Sequence, residues 1–173
     1  MSKKLGGETV MKMITVYHGG TEPVKHPLCK LGRAHLDFGQ GFYLTDIRRQ
    51  AEAWAAITAG RRNMKPMLNI YLLDRETILK EARCKIFKAY DIEWLEFIVA
   101  SRQGHNVAEK YDYIEGGIAD DRVIDTVNLY MAGLMDVNTA LTRLSMHSPN
   151  NQICILNQDI ADKHLTYYGT EQL

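Results

Sequence analysis

Hydrophobic residues recur along the chain in short runs that are rich in β-branched and aromatic residues and are bounded by glycine, asparagine or aspartate. The clearest run is MLNIYLL at 67–73, which Asp74 follows. The other runs, in chain order, are 14–18, 41–45, 85–87, 111–118, 152–156 and 165–168. Runs of this length and composition are typical of β-strands, so we predict a strand for each of them.

Segments with apolar residues at helical spacing lie between these runs. The first predicted helix is capped by Asp46 and ended by Gly60. A second helix starts at the N-cap Asp91, and its predicted inward face is Ile92, Leu95, Ile98 and Val99. Further helices are predicted at 121–133 and 136–146, with a helical turn at 158–163. Strands and helices are mixed without regular β-α-β alternation, which indicates an α+β fold.

Composition narrows the class of protein without naming an activity. The chain has 173 residues, 21 basic and 21 acidic side chains and 46% hydrophobic residues, which excludes a disordered or low-complexity protein. No apolar run approaches the roughly 20 residues of a membrane span, and no signal peptide is evident. Three widely spaced cysteines without a CxxC pair favour a cytoplasmic location. We predict a flexible leader at 1–12 and a single domain at 13–173.

Three segments place glycine or polar residues at the ends of otherwise apolar strands. They are Tyr17-His18-Gly19-Gly20, GQGFYLT at 39–45, and Asn150-Asn151-Gln152. Glycine lets a ligand approach the backbone, and amide side chains offer both donors and acceptors. Each segment taken alone is also explained by a turn or bend, with His18 a partly buried bystander. The aperiodic segment at 21–38 is predicted to be a long loop, which in a compact domain is usually functional.

Taken together and in this order, the three segments resemble the ADP-ribosyltransferase superfamily, in the histidine–tyrosine–glutamate branch of diphtheria toxin and the poly-ADP-ribose polymerases. The polymerases read GKGIYFAD where this chain reads GQGFYLTD, and NEYIVY where it reads NQICIL. The run 14–168 also resembles an uncharacterised bacterial family of that superfamily, the domain of unknown function numbered 3990. The segments LDFGQGFYLT and YDYIEGGIADD are its most specific parts. The resemblance implies two facing β-sheets around an NAD cleft, with flanking helices.

The resemblance also implies roles for matching residues. His18, Tyr43 and Gln152 would form the catalytic triad. His18 would hydrogen-bond a ribose 2′-hydroxyl of NAD, the Gly19 backbone would hold the nicotinamide carboxamide, and Tyr43 would stack on the nicotinamide ring. No metal is implied. The implied NAD-binding set is Tyr17, His18, Gly19, Arg33, Gly41, Phe42, Tyr43 and Trp54.

Two members of that set, Trp54 and Arg33, lie outside the three segments. Trp54 is either a second aromatic that sandwiches the nicotinamide ring or a core residue of its own helix, whose apolar positions are Ile47, Ala51, Trp54, Ala55 and Thr58. Arg33, in the 21–38 loop, would meet the pyrophosphate.

Gln152 departs from the family pattern, because the family has a glutamate at this position. A glutamine accepts a hydrogen bond from a ribose hydroxyl but carries no negative charge. The resemblance therefore implies single transfers of ADP-ribose from NAD to a macromolecular acceptor, protein or nucleic acid, with release of nicotinamide. The alternatives are a catalytically silent NAD-binding or protein-interaction module, and a toxin neutralised by a small partner protein. Asp120 and Asp121 are predicted simply to begin a helix.

Overall fold

The computed structural model describes residues 12–173, which contain seven strands and six α-helices. The leader predicted at 1–12 lies outside the described residues except for Lys12. The strands are β1 (Ile14–Gly20), β2 (Phe42–Leu44), β3 (Met67–Leu73), β4 (Cys84–Ile86), β5 (Tyr113–Gly116), β6 (Gln152–Ile155) and β7 (Leu165–Gln172). The helices are α1 (Arg48–Arg62), α2 (Arg75–Glu81), α3 (Ile92–Arg102), α4 (Ile124–Met131), α5 (Val137–Leu144) and α6 (Gln158–His164).

The strands form two separate β-sheets. The first has the order β1-β3-β7 and is antiparallel throughout. The second has the order β2-β6-β5-β4, in which the β4–β5 pair is parallel and the other pairs are antiparallel. An isolated bridge joins the sheets, with Tyr17 and Thr45 exchanging backbone hydrogen bonds of 2.8 and 3.0 Å. Two sheets combined with six helices confirm the predicted α+β class.

The two sheets pack on each other through a shared apolar core. Val16 and Tyr71 of the first sheet belong to the same buried cluster as Phe42, Ile153 and Ile155 of the second. Full burial of an apolar side chain of this size contributes about 1.5–3 kcal/mol. This core therefore holds β1 beside β2, which is where the polar strand ends meet.

Helix α1 packs on β1 with small side chains only. Ala51, Ala55 and Ala59 recur every fourth residue and are its buried residues. Gly19 permits the close approach, because a Cβ atom there would lie 2.0 Å from the Ala51 carbonyl oxygen and 2.7 Å from the Ala55 nitrogen. The outer face of α1 is left for larger side chains, and the helix lies directly against the end of β1 that carries His18.

A second core fills the space between the second sheet and helices α3, α4 and α5. Asp91 caps α3 as predicted, since its carboxylate accepts the Trp94 N–H at 3.0 Å. Ile92 was predicted to face inward, but it is 38% exposed. Trp94, two residues later, is buried instead. Its fully buried members include Trp94, Leu95, Ile98, Val127 and Leu144.

Both predicted ends of α1 are wrong. Asp46 does not cap the helix; the N-cap is Ile47, whose N–H is satisfied by the Thr45 hydroxyl at 3.1 Å. Gly60 lies inside the helix, which continues to Arg62 and has Asn63 as its C-cap. Asn63 adopts the left-handed conformation with φ 52°, and asparagine tolerates this conformation better than most residues. The terminator is therefore an asparagine that the apolar periodicity does not mark.

Other boundaries differ by a few residues, and one helix has no predicted counterpart. Helix α2 follows Asp74 immediately, and the Asp74 carboxylate caps it by accepting the Thr77 N–H at 3.1 Å. The strand predicted at 111–118 is confined to β5, and the final strand extends to residue 172. Asp136 caps α5 as predicted. Within residues 12–173, no helix is both long and apolar enough to cross a membrane.

Candidate functional site

A cleft of about 930 Å³ lies where β1, β2 and α1 meet. The 21–38 loop runs along it, and the segment after β5 and the start of β6 complete its wall. The cleft brings together His18, Tyr43 and Gln152, the three residues predicted to be catalytic. Small-molecule pockets usually measure about 300–1,000 Å³, so the cleft accommodates a large ligand. The other predicted binding residues that line it are Tyr17, Gly19, Arg33, Gly41, Phe42 and Trp54.

His18 is held rigidly, with one ring nitrogen left for a ligand. Its Nδ1–H donates to the Tyr43 carbonyl oxygen at 2.8 Å, and its ring stacks on Phe42 with centroids 4.6 Å apart. Because Nδ1 carries the proton in this arrangement, the neutral ring presents Nε2 as an acceptor. Burial lowers the pKa of His18, and the hydrogen bond to the Tyr43 backbone opposes that shift. The cleft therefore contains a neutral imidazole suited to accept a hydrogen bond from a hydroxyl group.

We expect His18 to make folding stability depend on pH on the acid side. The unfolded chain has a histidine pKa of about 6.5, and the folded pKa is lower, so the unfolded chain takes up the proton first. The contribution of neutral His18 to folding stability is complete above the pKa that His18 has in the unfolded chain. It is lost as the pH falls from that value toward the lower pKa that His18 has in the folded protein. Urea denaturation of wild type and His18→Gln from about pH 8 down to pH 5 measures it. The variant should show the flatter curve, and parallel curves would contradict a neutral, buried His18.

Tyr43 offers the cleft its ring and not its hydroxyl. The hydroxyl donates to the Gly39 carbonyl oxygen and accepts the Phe38 N–H at 3.2 Å. Gly39 has φ +79°, a conformation that glycine adopts readily and that directs its carbonyl into this bond. Burial raises the pKa of Tyr43 far above its ordinary value, so the hydroxyl stays protonated. What Tyr43 contributes is an aromatic surface on which a planar group stacks.

Gly19 and Gly41 have packing roles besides their place in the cleft wall. At Gly41 a Cβ atom would lie 2.5 Å from the Cys154 sulfur and 2.7 Å from the Ile155 carbonyl oxygen. The absent side chain thus lets the start of β2 lie against β6, as the absent side chain of Gly19 lets β1 lie against α1. Both glycines bring elements of the cleft close together whether or not a ligand touches their backbone.

Trp54 stands on the cleft side of α1 with 45% of its surface exposed. The alternative that it is a core residue of the helix is therefore wrong, because the buried face of α1 consists of alanines. The exposed indole is therefore available to a ligand in the cleft. An aromatic ligand ring would cover it by stacking.

Cationic side chains line the cleft on the side of the 21–38 loop. Arg33 and Lys25 belong to that loop, and Arg62 lines the cleft from the last turn of α1. None of the three forms an ion pair with another residue of the described part of the chain. Arg102 also lines the cleft, but Asp37 binds it at 2.7 Å. Such guanidinium and ammonium groups attract phosphates and other anions. Among residues 12–173, no group of three or more His, Cys, Asp or Glu side chains is placed to hold a metal ion.

Gln152 opens β6, where it pairs with Gly116 of β5, and its half-buried amide lies in the cleft wall. Sequence reasoning missed a neighbour of this residue. Asp120 was predicted to begin a helix, and its carbonyl oxygen does accept the Ile124 N–H at 2.8 Å in the turn that leads into α4. Its place in the cleft wall was not predicted. The only signal in the sequence was the pair of glycines shortly before it, which marks an interrupted strand.

Comparison with known proteins gives one result. The family model described as "Protein of unknown function (DUF3990)" matches residues 14–167. No curated protein and no solved structure gives a significant match. The matched range begins with β1, ends within β7 and contains all the cleft residues named above. Because the match covers most of the chain, this protein belongs to the DUF3990 family of proteins of unknown function.

Proposed function

We propose that this protein is a mono-ADP-ribosyltransferase, which transfers ADP-ribose from NAD to a macromolecular acceptor and releases nicotinamide. The observation that carries the proposal is the convergence of His18, Tyr43 and Gln152 on one cleft, each from a different strand. The sequence resemblance rests on three short motifs that are far apart in the chain. Their meeting at the junction of two sheets supports reading them as parts of one site.

The chemistry of the cleft suits the parts of NAD. The Nε2 acceptor of His18 matches a ribose hydroxyl, which donates. Tyr43 and Trp54 provide aromatic surfaces for the nicotinamide ring, and stacking of a planar base on an aromatic side chain contributes about 1–3 kcal/mol. Arg33, which has no ion-pair partner in the described residues, suits the pyrophosphate. The ligand chemistry and the side-chain chemistry are thus complementary along the length of the cleft.

NAD supplies a ribose whose anomeric carbon carries a cationic nicotinamide as leaving group. The residues of the chain orient the ribose, hold the ring apart from water and stabilise the positive charge that grows on the sugar. Gln152 orients a ribose hydroxyl but adds no charge, so we propose single transfers and no polymer formation. The same residue favours a second candidate function, a catalytically silent module that binds NAD and does not cleave it.

Substitution of Tyr43 by alanine should weaken NAD binding by about 5- to 100-fold, because the ring surface for stacking is lost. Tryptophan fluorescence is a suitable readout, since Trp54 is exposed at the cleft and Trp94 is fully buried. NAD should quench the wild-type signal. Trp54→Phe is the matched control: quenching should disappear while binding measured by calorimetry remains. An unchanged Kd in Tyr43→Ala would contradict the proposed position of the ring.

Incubation with adenine-labelled NAD and a cell lysate tests the transfer itself. Nicotinamide release and label on macromolecules are followed in wild type and Tyr43→Ala, and protease and nuclease digestion identify the acceptor class. Label transfer that is lost in the variant is the expected result. Tight NAD binding with no release would instead support the silent module. Neither binding nor release would refute both candidates.

A further inference from the structure

We propose that Asp120 supplies the negative charge that Gln152 does not, and is a catalytic residue facing the ribose in the cleft. The inference rests on the proposed function, since it assigns a residue to that reaction. It starts from two observations: Asp120 and Gln152 line the same cleft, and they lie at the same end of the neighbouring strands β5 and β6. Gly116, four residues before Asp120, pairs directly with Gln152.

The segment between β5 and Asp120 is fixed by three side chains from two other parts of the chain. The Gly117 carbonyl accepts the Trp94 indole N–H at 3.0 Å, and the Ile118 carbonyl accepts the Tyr90 hydroxyl at 2.8 Å. The Ala119 N–H donates to Asp37 at 3.1 Å. Three consecutive residues are thus held by long-range hydrogen bonds. This restraint sets the position of Asp120 as a site residue requires.

The Asp120 carboxylate is also oriented. Arg122 donates to it from its backbone at 3.0 Å and from its guanidinium at 2.9 Å, and the Asn150 amide donates from the other side. Asn150 lies two residues before Gln152, so this contact holds the carboxylate beside the start of β6. Asp120 lines the cleft and Arg122 does not, so Asp120 is the member of this ion pair that belongs to the cleft wall. The guanidinium is 42% exposed, which leaves its charge screened by solvent.

The other acids near the cleft are less suitable. Asp37 lines the cleft and its oxygens accept from Arg102 and the Ala119 N–H, but it lies in the 21–38 loop and not at the strand end that holds Gln152. The Asp120 oxygens are likewise bound, by Arg122 and Asn150, so its place beside the start of β6 is what distinguishes it. Glu115 is bound by Arg75 and by the Tyr113 hydroxyl and is not part of the cleft wall. Glu22 is exposed in the 21–38 loop and has no polar contact that orients its side chain among the described residues. Among these four acids, Asp120 is the one that lines the cleft and follows the strand paired with the start of β6.

The charge acts on the glycosidic step without taking part in bonding. The bond between the ribose anomeric carbon and the nicotinamide nitrogen breaks, and its electron pair leaves with nicotinamide. The acceptor nucleophile then bonds to the anomeric carbon and releases its proton to solvent. Between these events the sugar carries positive charge, and a fixed carboxylate nearby lowers its energy. The same carboxylate favours the cationic nicotinamide of NAD over the neutral ring of NADH.

The test compares Asp120→Asn with Asp121→Asn, which removes the same charge one residue away at an exposed position outside the cleft wall. Calorimetry measures the Kd of NAD and of NADH, and nicotinamide release measures turnover. Wild type should bind NAD more tightly than NADH. Asp120→Asn should reduce this preference by about tenfold and slow release by about 10- to 100-fold, and Asp121→Asn should change neither. Gln152→Glu added to Asp120→Asn should restore part of the loss.

A second variant separates charge from structure. Arg122→Gln removes the guanidinium but leaves the Asp120 carboxylate, so the preference for NAD over NADH should rise. A merely structural role of the ion pair predicts that it falls, as in Asp120→Asn, and that result would overturn the proposal. An unchanged preference and rate in a folded Asp120→Asn would overturn it as well. If wild type binds NAD without releasing nicotinamide, the ratio of the Kd values of NAD and NADH still tests the role of Asp120. If wild type binds neither nucleotide, both the proposed function and the role of Asp120 are refuted.

Discussion

Gly19→Ala should destabilise the protein by about 3 kcal/mol or more, although it adds a single methyl group. The added Cβ would lie 2.0 Å from the Ala51 carbonyl oxygen and 2.7 Å from the Ala55 nitrogen. Both atoms belong to the backbone of α1, so no side-chain rotation relieves the clash. Either α1 moves away from β1 or β1 shifts in its sheet, and both movements disturb the shared core.

Urea denaturation of Gly19→Ala beside Gly60→Ala measures this effect. Gly60 lies inside α1, and a Cβ atom there meets nothing within 4 Å. Replacement of a helical glycine by alanine at such a site stabilises by about 0.5–1 kcal/mol. The two glycine-to-alanine changes should therefore have opposite signs. A small effect at Gly19 would mean that α1 does not approach β1 as closely as described.

Trp94→Ala should cost about 3–5 kcal/mol of the free energy of unfolding. The indole is fully buried, and its N–H donates to the Gly117 carbonyl at 3.0 Å. Truncation leaves a cavity in the second core and deprives a buried carbonyl of its partner, which adds to the cost. Because Gly117 leads to Asp120, the wall of the cleft should loosen as well.

Thermal or urea unfolding of Trp94→Ala is compared with Trp54→Ala, the same truncation at a site where the indole is 45% exposed. The control should lose about 1 kcal/mol or less. Trp94→Phe should lie between the two, since it keeps an aromatic ring but not the hydrogen bond. If the two alanine variants lose equal stability, the assignment of Trp94 to the core is wrong.

Much of the fold was predictable because its signals are local. Runs such as 14–18 and 67–73 consist of residues that favour strands, and both became strands of the first sheet. Asp91 and Asp136 were recognised as N-caps because an aspartate before an apolar helical pattern satisfies exposed N–H groups. Helix α2 escaped prediction because its apolar positions, Ile78 and Leu79, are adjacent and show no helical spacing.

The cleft was predictable in part. His18, Tyr43 and Gln152 could be named because three short motifs resemble those of the ADP-ribosyltransferase superfamily, and the structure places all three residues in one cleft. Asp120 could not, since its place depends on hydrogen bonds from Trp94 and other residues far away in the sequence. The packing roles of Gly19 and Gly41 were equally hidden, because a sequence does not show which neighbour approaches a glycine.

The central position of β6 has a consequence for the order in which the molecule is made. β6 lies between β2 and β5, so β2 has no neighbour in the second sheet until residues 152–155 are present. His18 and Tyr43 leave the ribosome long before then. Contacts between such distant segments form late, because closing a long loop costs entropy before any contact repays it. The growing chain therefore lacks a complete cleft for most of its synthesis, and the site is assembled nearly as the last strand emerges.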